Sequence, residues 1–200
     1  MIWQNLVLTA ANDAQAHVFE LQLDRLRRAE IIDPGTRTQV VADPAGKRIG
    51  SGGATINALA RCFPDGIDPI QKTLILHAGG DSQRIPHQSL LGKLFAPLLP
   101  PDFSVFESIY RVLNGIGQQL KSGIVVASGD TPMRQPTEPR LPDQTFDVLG
   151  IGYWGAIDLG TQHGVYQFEA ETVVRVYQKS DRQTLKKTCN HQGQVAVDTG

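Results

Sequence analysis

At 200 residues, with 40% hydrophobic and 20% charged side chains, the chain has the size and make-up of one ordinary globular domain. A net charge of −1 gives no long-range pull toward nucleic acid or an anionic membrane surface. No apolar run is long enough to cross a bilayer, the N-terminus lacks the basic region of a signal peptide, and the two cysteines, Cys62 and Cys189, stand too far apart to suggest a disulfide framework or zinc site. The cytoplasm is therefore the expected location, with no nucleic-acid or membrane partner, and nothing in the sequence sets an oligomeric state.

Leu6-Val7-Leu8 reads as a short apolar strand, and Asn12 or Asp13 can cap the segment that follows. Ala16, Phe19, Leu23 and Leu26 recur at helical spacing, and Arg25, Arg27 and Arg28 suit the negative end of that helix. Thr38–Ala42 is a weaker strand. Asp43-Pro44-Ala45-Gly46 reads as a loop, and Gly50–Thr55 as a glycine-rich turn leading into a helix over Ile56–Cys62. Gly52 and Gly53 could cradle a phosphate at the helix start or serve only as a flexible turn. The run is a near miss for the dinucleotide fingerprint, with Thr55 where a small residue should stand, and no acidic residue follows where the ribose would need one. A nicotinamide cofactor is not expected.

The chain is organised around Leu74–Leu98. Leu74-Ile75-Leu76 is the uninterrupted apolar run of a parallel strand buried on both faces. Gly79 and Gly80 follow, then Ser82, Arg84 and Lys93, so a buried strand ends in a glycine turn that carries two fixed cations. This is not a Walker A loop, because Leu94 follows Gly92-Lys93 in place of Ser or Thr. Arginine and lysine are nonetheless the side chains that suit triphosphate oxygens. Further on, Ser104 with Glu107 forms a capping box ahead of a helical face of Ile109, Val112, Leu113, Ile116 and Leu120.

Ile124-Val125-Val126 reads as a second buried strand that delivers Gly129-Asp130 at its end. Phe146–Tyr153 and Val173–Tyr177 read as further strands, the latter ending at Lys179. Val195-Ala196-Val197 delivers Asp198. Asp130 and Asp198, each closing an apolar strand, are candidates to hold magnesium against phosphates, the plain alternative being unrelated strand-end caps. His163 lies in a loop, His77 reads as a core residue with a satisfied ring, and Tyr153 and Trp154 could stack on a sugar or base, core packing being the commoner role. No Ser-His-Asp or Cys-His arrangement is defensible. That absence suits attack by a sugar 1-phosphate on a nucleoside triphosphate, where the nucleophile is already anionic and catalysis is alignment plus charge neutralisation.

His77–Pro86 (HAGGDSQRIP) and Gly92–Leu98 (GKLFAPL) resemble the signature of the L-fucose-1-phosphate guanylyltransferase family, including the pyrophosphorylase half of bifunctional fucokinase/GDP-fucose pyrophosphorylases. Val41–Leu59, Val125–Asp130, His163–Tyr166, the QKS around Lys179 and the final Asp198-Thr199-Gly200 match the same pattern in order. The resemblance implies an α/β, Rossmann-like nucleotidyltransferase domain with a mostly parallel sheet, running over residues 1–200 and incomplete at its C-terminal end. It implies transfer from GTP to a sugar 1-phosphate, most simply L-fucose 1-phosphate, giving GDP-sugar and pyrophosphate with Mg2+ as cofactor. Gly79, Gly80, Ser82 and Arg84 would then approach the triphosphate beside Lys93, while Gly52, Gly53 and His163 would face the nucleotide. Asp130 and Asp198 would hold the metal, and Lys179 would meet the sugar phosphate. Ser180 departs from the proline of many relatives. The alternative is a non-catalytic nucleotide-binding remnant or an assembly module of a longer protein.

Overall fold

The computed structural model describes residues 1–78, 92–98, 103–129, 141–142 and 147–199. They fall into two compact units, Met1–Pro142 and Asp143–Gly200.

In the first unit the strands are β1 (Asn5–Ala10), β2 (Arg37–Ala42), β3 (Lys72–His77) and β4 (Gly123–Ser128). They form a parallel sheet in the order β2-β1-β3-β4. Among the described residues, α1 (Asp13–Arg28), α2 (Gly50–Cys62) and α3 (Val105–Gln119) connect them. Leu6, Val7, Leu8, Leu74, Ile75 and Leu76 have no exposed surface, which is why β1 and β3 read as continuous apolar runs.

Asn12 caps α1 by accepting a hydrogen bond from the Gln15 amide at 2.9 Å. The Ser104–Glu107 capping box forms in both directions and starts α3. On one sheet face Val7, Val41 and Ile75 pack against Ala58 and Cys62 of α2. An aromatic ladder joins the two other helices. Phe19 of α1 meets Phe95 edge-on at 5.3 Å, Phe95 stacks on Phe106 at 5.8 Å, and Phe106 stacks on Tyr110 at 5.3 Å. The ladder fixes the 3-10 turn Lys93–Phe95, and with it Lys93.

Two expectations for this unit need correction. The glycines of Gly50–Thr55 do not precede a helix; they are its first turn. Glycine costs a helix roughly 1 kcal/mol per residue against alanine. Burial of Ala54, Ala58 and Cys62 outweighs that local penalty. Nor is β4 buried on both faces: Ile124 is 38% and Val126 45% exposed. Among the described strands β4 pairs only with β3.

The second unit holds β5 (Gly152–Ala156), α4 (Ile157–Gly160), β6 (Gly164–Glu169), β7 (Thr172–Gln178), α5 (Arg182–Leu185) and β8 (Gln194–Asp198). Its strands form an antiparallel sheet in the order β5-β8-β6-β7. Ile157, Val165, Leu185, Val195 and Val197 make its core on the helical side. The strand expected over Phe146–Tyr153 is instead β5, beginning at Gly152; residues 147–151 carry no strand, and 143–146 lie outside the described residues. Tyr153 and Trp154 are both half-exposed instead of packing in the core, and Trp154 leans on Phe168 at 6.2 Å. The protein is thus α/β, with its parallel sheet in the first unit and an antiparallel sheet in the second.

Candidate active site

In the first unit the crossovers leave β1 and β3 in opposite directions, β1 toward β2 and β3 toward β4. Ligands of open α/β sheets sit outside the carboxyl ends of the strands at such a switch point. A cleft of about 270 Å3 lies there, lined by Thr9 and Ala10 of β1, Asp43 and Arg48 after β2, Gly50 and Ser51 of α2, His77 of β3 and Ser128 of β4.

His77 ties the floor of this cleft together. The Thr55 hydroxyl donates its one proton to the Ser51 carbonyl at 3.0 Å, so toward His77 Nε2, at 2.9 Å, it accepts. The imidazole is therefore protonated at Nε2, and Nδ1 accepts from the Thr9 hydroxyl at 3.1 Å. The ring is satisfied, as the sequence suggests, but it stands on the cleft. Burial pulls the His77 pKa below its ordinary 6.5, against the opposing pull of Asp43. An unfolded chain therefore takes up this proton at higher pH than the folded one does. His77 thus favours the folded state fully above about pH 6.5, and that contribution is lost as pH falls toward the depressed folded-state pKa. The melting temperature should fall below pH 6.5, and His77→Gln should flatten that fall; identical acid limbs in the two proteins would contradict the assignment.

Gly129 follows β4 where a side chain has no room. A Cβ there would lie 2.6 Å from the His77 carbonyl oxygen and 3.0 Å from Leu94 Cδ1. Its amide donates to that same carbonyl at 2.6 Å. The glycine thus lets β4 close on β3 beside the residue that follows Lys93. Gly129→Ala should cost about 1–3 kcal/mol, measured by chemical denaturation. No change in the midpoint would show that the strands can part freely.

The second unit brings three separated residues to one end of its sheet. Asp198 ends β8, His163 immediately precedes β6, and Lys179 immediately follows β7. The Lys179 amide donates to the His163 carbonyl at 3.1 Å. Gly164, between them, lies so close that a Cβ would stand 3.1 Å from both Asp198 Cβ and Gln178 Nε2. The Tyr166 hydroxyl donates to Asp198 Oδ1 at 2.7 Å. Burial first, and then the Asp198 carboxylate itself, push the phenol pKa well above its ordinary 10, so Tyr166 remains a donor throughout the physiological range. Lys179 is exposed and has φ +47°, a left-handed conformation that costs a non-glycine residue roughly 1 kcal/mol.

Of the residues singled out in sequence, Gly52 and Gly53 lie in the first turn of α2, whose start carries no side-chain cap. Lys93 stands in the turn between Gly92 and the buried Leu94 but does not line the cleft. Gly79, Gly80, Ser82, Arg84 and Asp130 lie outside the described residues. Among the described residues no group of three or more His, Cys, Asp or Glu side chains could hold a metal alone. Sequence reading missed Asp43, Ser128 and Tyr166. The first two stand at or just beyond strand ends, as Asp198 does; Tyr166 lies within the quoted His163–Tyr166 motif.

Residues 70–200 match the fucose pyrophosphorylase domain. The chain belongs to the fucose pyrophosphorylase family. It is 32% identical over 243 aligned residues to a bifunctional fucokinase/GDP-fucose pyrophosphorylase of Arabidopsis thaliana, a match covering 99% of this chain and 23% of that protein. A fucose-1-phosphate guanylyltransferase of Homo sapiens is 31% identical over 82% of this chain and 28% of its own length. Its counterpart in Mus musculus is 28% identical over 85% of this chain and 30% of its own length. The chain thus spans less than a third of these relatives. No solved structure matches it. In this fucose pyrophosphorylase family chain, no helix among the described residues is long and apolar enough to cross a membrane.

Proposed function

We propose that the chain contributes the nucleotidyl-transfer site of a sugar-1-phosphate guanylyltransferase, joining GTP and L-fucose 1-phosphate into GDP-fucose with release of pyrophosphate. The observation that carries this reading is the family match over residues 70–200, which contains both Gly79-Gly80 and the His163–Lys179–Asp198 cluster. The sugar phosphate oxygen attacks the α-phosphorus of GTP; the new P–O bond forms as the bond to pyrophosphate breaks, and the pyrophosphate leaves with its electron pair. No general base is required. Arg84 and Lys93 neutralise the departing pyrophosphate, and Lys179 orients the incoming phosphate. Gly52, Gly53, Gly79, Gly80, Ser82 and His163 are assigned to the nucleotide.

The donor chemistry at Asp198 suits magnesium. One carboxylate oxygen is held by Tyr166, and hard oxygen is what this ion takes, commonly from one or two carboxylates with phosphates completing the shell. Asp198 and Asp130 would hold the ion, which when bound neutralises phosphate charge. Tyr166 acts as a positioning residue by fixing the carboxylate. The reading places the protein in the cytoplasm.

A panel of GTP, ATP, UTP and CTP against fucose, mannose, glucose and galactose 1-phosphates, read as pyrophosphate release, tests the proposal. Release confined to GTP with L-fucose 1-phosphate is the expected result. Release with another pair would reassign the substrates, and binding of GTP without release from any pair would favour a non-catalytic nucleotide-binding module.

A further inference from the structure

The guanine base has a distinctive edge. N1–H and the N2 amino group donate side by side, while O6 and N7 accept. An ionised carboxylate accepts two such donors at once, and arginine suits the accepting pair. The cleft at the switch point of the parallel sheet carries one of each, Asp43 and Arg48, on the same loop after β2.

Asp43 is placed for this role. Its amide donates to the Ala10 carbonyl at 2.8 Å, pinning it beside the end of β1. Its side chain makes no cap to the Pro44–Gly46 turn, and no described group donates a hydrogen bond to it. Thr9 and His77, also on the cleft, already satisfy each other. Among the described residues the Asp43 carboxylate has no hydrogen-bond donor, and a base with two adjacent donors would supply two.

Resting on the nucleotidyl-transfer reading, we propose that Asp43 is the base-specificity residue, accepting N1–H and N2–H of guanine in the cleft between β1 and β3, with Arg48 serving the O6/N7 side. Adenine would set its N1 lone pair against the carboxylate and is excluded by that repulsion.

Two binding measurements on the whole chain test this. In the wild type, inosine triphosphate, which lacks only the N2 amino group, should bind about 10-fold more weakly than GTP. In Asp43→Asn the amide would donate to the C2 carbonyl of xanthine and accept its N1–H. That variant should bind xanthosine triphosphate at least about 10-fold better than GTP, reversing the wild-type order. Equal affinity of the wild type for GTP and inosine triphosphate overturns the proposal, as does an unchanged GTP preference in folded Asp43→Asn or no GTP binding at all. The outcomes separate from those of the reading beneath it. A base swap without pyrophosphate release leaves Asp43 assigned and removes the transferase, whereas pyrophosphate release with no base swap does the reverse.

Discussion

Lys179→Gly should make the protein more stable and less active. At φ +47° the lysine holds a left-handed backbone that glycine adopts without steric cost, so the substitution should raise stability by about 1 kcal/mol. The amide of residue 179 still reaches the His163 carbonyl, because that bond belongs to the backbone. What disappears is the ammonium group. In the proposed role the loss compares with removing one preorganised oxyanion-hole donor, which costs about 2.7–4 kcal/mol of transition-state stabilisation, so turnover should drop by about 10^2- to 10^3-fold. A strained lysine kept at a strand end makes sense when its cation is used, and the two signs separate that role from a structural one. Turnover within about 3-fold of wild type, measured beside the melting curve, would remove Lys179 from the mechanism.

Asp198→Asn is the second large effect. The amide oxygen can still accept from the Tyr166 hydroxyl, which holds Oδ1 at 2.7 Å, so stability should move by less than about 1 kcal/mol. The negative charge is gone, and with it the proposed ligand for a divalent ion. Turnover at fixed magnesium should fall by about 10^2- to 10^3-fold, with part of the loss recovered at high magnesium. Tyr166→Phe, which keeps the carboxylate and frees its orientation, should raise the magnesium requirement about 10-fold while leaving turnover at saturating magnesium nearly intact. A magnesium titration of all three proteins decides the point. Superimposable curves would mean that Asp198 is a strand-end cap and nothing more.

Sequence alone gave away the parts whose physics is local. β1 and β3 are apolar runs because both faces are buried, and Ser104 with Glu107 announces α3 because a capping box needs only those two residues at that spacing. The start of α2 was hidden because glycine disfavours helix, and only the packing of Ala54, Ala58 and Cys62 beneath it reverses the preference. The antiparallel sheet was hidden for another reason. Alternation in Val173–Tyr177 reveals a strand with two unlike faces, but it names no partner, and β6 breaks its alternation with a register shift between Gln167 and Phe168.

The same division holds at the site. Lys179 and Asp198 were legible as charged residues closing strands, and the structure brings them to one end of one sheet with His163. Asp43 was read as part of a proline-glycine loop, since nothing in Asp43-Pro44-Ala45-Gly46 shows that its amide is tied to β1 or that a cleft opens beside it. Tyr166 went unweighted because its importance rests on a hydrogen bond across 32 residues of sequence.

The most direct test of the account is to incubate this chain with GTP, magnesium and L-fucose 1-phosphate and to identify the products. Stoichiometric GDP-fucose and pyrophosphate, abolished when either GTP or the sugar phosphate is withheld, is the predicted result. Pyrophosphate that appears without the sugar phosphate, or no GDP-fucose from a folded chain that binds GTP, would contradict it.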